Sequence, residues 1–165
     1  AVPGGFPDSS TISKDWFLMS AEKEGRVNPM TVAWATAGIL WQKPVVMCAV
    51  RPERFTREFL DSSDVFSLTV FDNSFRKMLG YCGTVSGRDQ DKVKEAGLTV
   101  AHAGECRMAL LCRKLCVTPL KEEDFLGDHV FTEKWYGGEN HADGTGGGYH
   151  LLYIAEITDI LVKES

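Results

Sequence analysis

Arg51, Arg54 and Thr56 lie within one six-residue stretch of the chain. Two guanidiniums and a hydroxyl at the head of a helical segment can close around a phosphate through charge-assisted hydrogen bonds. Upstream, the stretch from Asn28 has the composition of a strand. Its side chains should alternate between two faces. Asn28, Met30, Val32, Trp34 and Thr36 fall on one face. Pro29, Thr31, Ala33, Ala35 and Ala37 fall on the other, which is nearly bare. A flat, small-residue slot beside two arginines suits a flat ring carrying a phosphate. Two core strands with a solvated arginine pair, the guanidiniums meeting Glu53 or Glu58, fit the same pattern. Spacing alone leaves both open.

These residues need elements to hold them. Trp16 to Ala21 and the polar turn Glu22 to Arg26 predict a hairpin that feeds the Asn28 strand, with Gly25 supplying positive φ. Lys43-Pro44 closes the next turn. The apolar run Val45 to Val50 predicts a strand buried on both faces, stopped by Arg51-Pro52 because proline cannot donate to a ladder. Arg54 to Leu60 predicts two helical turns, with Phe55 and Phe59 facing the core at i, i+4. Val65 to Phe71 alternates, with Phe66, Leu68 and Val70 inward. Asp72, Asn73 or Ser74 caps a helix carrying Phe75, Met78 and Leu79, which Gly80 to Gly83 ends. Ser86-Gly-Arg-Asp89 has capping-box form and predicts a helix from about Asp89 to Gly97. Cys106 to Val117 predicts a long strand, and Leu120 to Gly127 a polar excursion. Tyr149 to Val162 predicts the last strand, with Tyr149, Leu151, Tyr153, Ala155, Ile157 and Leu161 on one side. The count is six mostly antiparallel strands with short helices, without a βαβ rhythm or an internal repeat. That pattern predicts a small closed β barrel.

Composition narrows the partners. The chain has 165 residues, 44% of them hydrophobic and 25% charged, which is globular and long enough for a real core. Eighteen Lys and Arg against 23 Asp and Glu give a net charge of −5. Nucleic acid and anionic membrane surfaces call for a cationic footprint, so neither is expected as the main partner. No apolar run reaches the ~18 residues of a membrane span. Residues 1–8 carry neither a basic n-region nor an apolar h-region. Cys48, Cys82, Cys106, Cys112 and Cys116 are odd in number and form no C-x-x-C. They read as reduced thiols in a cytoplasm.

Other constellations carry less. Gly144-Thr-Gly-Gly-Gly-Tyr-His150 lacks the Lys-Ser/Thr of a P-loop and precedes a strand, so a plain loop is expected. Cys112 and Cys116, with His102 near Cys106, lack the spacing of a zinc site, and no metal is expected. His141-Ala-Asp143 has no nucleophile motif to assist. No Rossmann fingerprint is present, so a nicotinamide nucleotide would have no domain of its own here.

The wording of the chain goes further than its periodicity. Asn28-Pro-Met-Thr-Val-Ala-Trp34, Gly38-Ile-Leu-Trp-Gln-Lys-Pro44, Val50-Arg-Pro-Glu-Arg-Phe-Thr56, Asp64-Val-Phe-Ser67 and Gly83-Thr-Val-Ser-Gly-Arg-Asp-Gln-Asp-Lys92 occur in that order. From about residue 13 onward the chain resembles the flavin-reductase-like family of FMN-binding split barrels, which includes the flavoredoxins. The resemblance implies a mainly β domain over residues 13–165, a six-stranded antiparallel Greek-key split barrel of FMN-binding type. Residues 1–12 would be an arm or remnant. It implies a cytoplasmic homodimer with FMN at the subunit interface. Asn28, Met30, Thr31, Val32, Ala33 and Trp34 would contact the ring, with backbone N–H groups on the flavin carbonyls and N5. Arg51, Arg54 and Thr56 would hold the phosphate. Cys82, Gly83, Ser86 and Gly87 are further candidates at the seam. The activity implied is redox or electron transfer through bound FMN, with NAD(P)H-dependent flavin reduction as one form. A flavoredoxin-type carrier to a protein partner, or a flavin- or haem-binding module without turnover, are the alternatives.

Overall fold

Alternation decides what is buried, and the core can be read strand by strand. The computed structural model describes residues 16–100, 106–127, 129–137 and 148–163. The arm expected over residues 1–12 lies outside these, as do His102, His141, Asp143 and the loop 144–147. Seven strands form one antiparallel sheet: β1 (Phe17–Lys23), β2 (Arg26–Val32), β3 (Ala35–Leu40), β4 (Lys43–Val50), β5 (Val65–Val70), β6 (Met108–Pro119) and β7 (Leu151–Val162). Their order is β2-β1-β5-β6-β7-β4-β3. Phe17, Met19 and Ala21 of β1 meet Met30 and Val32 of β2, and Val46, Cys48 and Val50 of β4. Phe66, Leu68 and Val70 of β5, Met108, Leu110 and Cys112 of β6, and Tyr153, Ala155 and Ile157 of β7 complete the core. Each set is spaced by two, so one face of every contributing strand is removed from water.

The strand count differs from the expected six, and the sheet is not closed. The stretch from Asn28 is not one strand. It leaves the sheet at Ala33 and Trp34 and resumes as β3. β2 and β3 are therefore consecutive in sequence but occupy opposite edges of the sheet. The sheet must curl for a two-residue link to join its edges. Trp34 marks the junction, its carbonyl accepting from Ala49 N–H of β4 at 3.0 Å. The next turn lies at Trp41 and Gln42, both at positive φ, rather than at Lys43-Pro44. In the first hairpin Gly25 takes positive φ (77°), as expected of a tight strand-matched turn.

The described residues include four helices: α1 (Thr56–Ser62), α2 (Arg76–Thr84), α3 (Lys92–Glu95) and α4 (His129–Tyr136). α1 buries Phe59 and Leu60. It is tied to the sheet by the Tyr153 hydroxyl, which donates to Asp61 at 2.9 Å, and by Lys114 Nζ, which donates to the Leu60 carbonyl. α2 runs through Gly80 and Gly83 to Thr84, past the expected stop. Its Leu79 and Cys82 form a second apolar cluster with Leu18, Phe71, Cys106 and Ala109. The helix expected from Asp89 is shorter. Asp91, not Ser86, caps it, accepting from Val93 N–H and Lys94 N–H. Ser86 closes a turn instead, its hydroxyl accepting from Arg88 N–H at 3.2 Å. Gly97 (φ 65°) follows as expected. α4 falls in a passage whose sequence gave no helical period. No helix of the described residues is long and apolar enough to cross a membrane.

Candidate functional site

The link between the two sheet edges leaves a cleft of about 310 Å3. Its walls are the end of β2 (Met30, Thr31, Val32), the link (Ala33, Trp34), the end of β4 (Ala49, Val50), Arg51 and Arg54 from the bend, Gly83 of α2, Trp135 of α4 and His150. β2 is an edge strand, so alternate backbone N–H and C=O groups on its outer side have no ladder partner. Met30 and Val32 send their side chains into the core and offer the cleft only their edge. Ala33 is exposed. Thr31 is held by its hydroxyl, which donates to the Leu79 carbonyl and fixes α2 beside the strand. Gly83 lies where α2 comes closest: a Cβ there would stand 3.3 Å from that of Thr31.

One end of the cleft is cationic. Arg51 Nη2 donates to the Trp135 carbonyl at 2.7 Å, and its guanidinium lies 5.7 Å from the centre of the Tyr136 ring. Arg51 Nη1 is buried without a hydrogen-bond partner among the described residues. Its nearest acid among the described residues is Glu53, at 3.9 Å. Burial lowers the pKa of Arg54, and Glu53 only partly opposes this. The Arg54 backbone bonds within the bend, its N–H donating to the Arg51 carbonyl at 3.2 Å, while its guanidinium makes no hydrogen bond to a described residue. Two partly desolvated guanidiniums with spare donors, facing one cleft, form a site for an anion.

Aromatic side chains crowd beside Arg51. Trp34 and Trp135 meet edge-on at 4.8 Å, and His150 lies 4.9 Å from Trp34. His150 is buried, with Nδ1 at 3.1 Å from the Tyr136 hydroxyl. Burial, then repulsion from Arg51, pushes its pKa down to about 4. The imidazole is therefore neutral at pH 7 and adds no charge beside Arg51.

Eight of the thirteen residues expected at the site line this cleft: Met30, Thr31, Val32, Ala33, Trp34, Arg51, Arg54 and Gly83. Asn28, Thr56 and Gly87 lie behind the wall as a packed unit. Asn28 Nδ2 donates to Thr56 Oγ1 at 2.7 Å, and both are buried. Cys82 points into the second apolar cluster, and burial raises its thiol pKa. Ser86 serves its own turn. Trp135 and His150 were not anticipated. They reach the cleft through tertiary contacts with Arg51 and Trp34, which no local period encodes.

A second, larger cleft of about 610 Å3 lies on the opposite face of β1, β2, β5 and β6. Leu18, Pro29, Val65 and Leu111 are among its walls, and Glu22 is its one charged residue. It offers apolar area but no cation, so the smaller cleft is the better place for an anionic ligand.

Residues 9–165 match the flavin reductase like domain, and the chain belongs to that family. It is 29% identical over 115 residues to an uncharacterized protein of Aeropyrum pernix, covering 68% of this chain and 43% of that one. The chain thus spans less than half the length of that relative. The fold is similar to that of flavoredoxin from Methanosarcina acetivorans, with a TM-score of 0.65 and 19% identity over 91% of this chain and 69% of that one. It is similar also to an FMN-binding protein of Thermus thermophilus, with a TM-score of 0.66 and 18% identity over 100% of this chain and 81% of that one. At these identities the likeness is one of fold. The antiparallel split-barrel class expected from the wording of the chain is therefore correct, with seven strands in place of six.

Proposed function

We propose that the smaller cleft holds FMN and that the protein is a redox flavoprotein. The phosphate would sit on Arg51 and Arg54, and the ring against the Thr31–Trp34 edge. The observation that carries this is Arg51 Nη1, a buried donor without a hydrogen-bond partner among the described residues, at the mouth of a slot whose floor is Ala33. A buried unsatisfied donor costs roughly 1–3 kcal/mol, which a bound anion would recover. The edge strand supplies free N–H groups for ring carbonyls, and the Trp34–Trp135 corner supplies an apolar wall. Bound FMN would supply one- and two-electron chemistry, while the protein orients it and excludes water. The T. thermophilus relative described above is an FMN-binding protein, and the M. acetivorans relative a flavoredoxin, which supports the same cofactor here.

Two further parts belong to this proposal. One is the electron donor: a nicotinamide nucleotide visiting the exposed side of the ring, or a protein redox partner. Steady-state NAD(P)H oxidation favours the first; reduction of bound flavin only by a ferredoxin-class protein favours the second. The other is a homodimer. The exposed Trp34 (41%) beside the flavin cleft offers a face that a second copy would cover, which would put the cofactor at the subunit seam. Light scattering at the monomer mass at micromolar concentration would count against it.

The cofactor proposal is tested by titrating the protein with FMN, FAD and riboflavin. FMN is expected to bind most tightly. Equal affinity for FMN and riboflavin would remove the phosphate from Arg51 and Arg54.

A further inference from the structure

We propose that Tyr136 is a positioning residue for the cleft: it fixes the proton of His150 on Nε2, so that the imidazole offers a neutral N–H to a carbonyl oxygen of the flavin ring. This rests on the flavin reading above and deepens it with a residue that forms no part of the cleft wall.

Tyr136 ends α4 and is buried. The only acceptor that its hydroxyl meets among the described residues is Nδ1 of His150, at 3.1 Å. Two arrangements fit that distance. Either the phenol donates to a bare Nδ1, or a protonated Nδ1 donates to the phenol oxygen. The second arrangement leaves the phenol proton buried without an acceptor, and buried polar groups are rarely left so. The first satisfies both groups. Burial raises the pKa of Tyr136, and Tyr149 adds to this; Arg51 and the backbone N–H of His150 only partly oppose it. The phenol therefore keeps its proton at pH 7 and has it to give. His150 is neutral there, through its burial and the repulsion from Arg51. A neutral imidazole whose Nδ1 accepts carries its one proton on Nε2.

Nε2 has no hydrogen-bond partner among the described residues. His150 lines the cleft and Tyr136 stands behind it. The ring edge away from Tyr136, which carries Nε2, is the one left for the cleft. The imidazole also lies against Trp34, a wall of the slot, with ring centres 4.9 Å apart. A neutral donor beside that wall suits a neutral carbonyl oxygen. A phosphate dianion there would instead draw a second proton onto the imidazole. The competing role of Tyr136 is packing alone. Its ring stacks on Tyr149 at 4.4 Å and lies 5.5 Å from Phe125. Phenylalanine keeps those contacts and loses only the hydroxyl, so Tyr136→Phe separates the two roles.

Nitrogen NMR of the histidine rings in the flavin-free parent at pH 7 reads the tautomer, and does not depend on any variant of Tyr136 folding. The set of signals missing from His150→Gln belongs to His150. It is expected to show Nε2 protonated and Nδ1 bare. A proton on Nδ1 overturns the proposal. In Tyr136→Phe Nδ1 loses its donor, and both tautomers are expected. Ring signals unchanged from the parent would mean that Tyr136 only packs, and would overturn it too.

Binding reads the consequence. In Tyr136→Phe the affinities for FMN and riboflavin are expected to fall together, by about threefold to tenfold, the scale of one hydrogen bond. In a His150→Gln background, whose amide donor has no tautomer to fix, Tyr136→Phe is expected to cost nothing further. A loss for FMN alone puts the contact on the phosphate and overturns the ring as acceptor. Unchanged affinity for both flavins in the folded variant overturns the proposal and leaves the cofactor reading intact. A parent that binds neither flavin overturns the cofactor reading, and the ring as acceptor with it.

Discussion

Asn28 Nδ2 donates to Thr56 Oγ1 at 2.7 Å, inside the protein and 28 positions away in sequence. This bond ties the middle of β2 to the first turn of α1. The Arg51–Arg54 bend leads directly into that turn, so the bond fixes the cationic end of the cleft relative to its floor. Thr56 therefore acts on the site by holding α1, with its hydroxyl accepting from Asn28. Gly87 packs against the same pair: a Cβ there would stand 1.9 Å from Asn28 Oδ1 and 2.9 Å from the Phe55 ring.

Gly87→Ala is accordingly expected to destabilise the protein by about 1–3 kcal/mol, the usual range for forcing extra volume into a packed site. The Asn28–Thr56 bond would yield first, and flavin affinity would fall with stability. Chemical denaturation of both proteins checks this. A variant as stable as the parent would mean that the turn at Ser86 gives way freely and that Asn28 is not confined.

Arg51→Ala should weaken FMN binding by about 1.5–3 kcal/mol, the scale of a charged hydrogen bond. The loss should appear for FMN and not for riboflavin. Stability should change little, since Arg51 lies at a strand end and its lost bond is to the Trp135 carbonyl. Unchanged FMN affinity in the folded variant would take Arg51 out of the site.

His150 sets a pH limit on the fold. Its folded pKa is lowered from 6.5 to about 4 by burial and by Arg51. The unfolded chain then binds the proton more readily between those values. The sign follows: stability is complete above about pH 6.5 and is lost as pH falls toward 4. The loss has an upper bound of about 3 kcal/mol, from 1.36 kcal/mol per pKa unit. Melting temperatures of the parent and of His150→Gln between pH 4 and 7 test this. The variant's profile should be the flatter of the two.

Much of the fold was legible because alternation survives in β5 and β7. Phe66, Leu68 and Val70 face inward as their spacing requires, and so do Tyr153, Ala155 and Ile157. The Arg51 and Arg54 end of the site was legible for a different reason, since both residues occupy one bend after a strand that Pro52 stops. What could not be read was the break at Ala33 and Trp34. Alternation continues across it in the sequence, and only the curl of the sheet makes the chain leave one edge and join the other. Trp135 and His150 were hidden likewise. They enter the cleft through contacts with Trp34 and Arg51, and nothing in their own neighbourhoods points there.

That break gives Ala33 and Ala35 different jobs, although they stand on one face of the sequence pattern. Ala33 is in the link, exposed, and forms the floor of the cleft. Ala35 is in β3, opposite Cys48 of β4, and packs against the main core. Leucine at Ala33 should fill the slot and block FMN and riboflavin alike, at small cost in stability. Leucine at Ala35 should overpack the core by about 1–3 kcal/mol and disturb flavin binding only indirectly. Melting temperature and flavin affinity of both variants decide between the two jobs. If Ala33→Leu binds FMN as the parent does, the ring does not lie on the Thr31–Trp34 edge. If both variants lose stability equally, the link belongs to the core and the cleft floor is elsewhere.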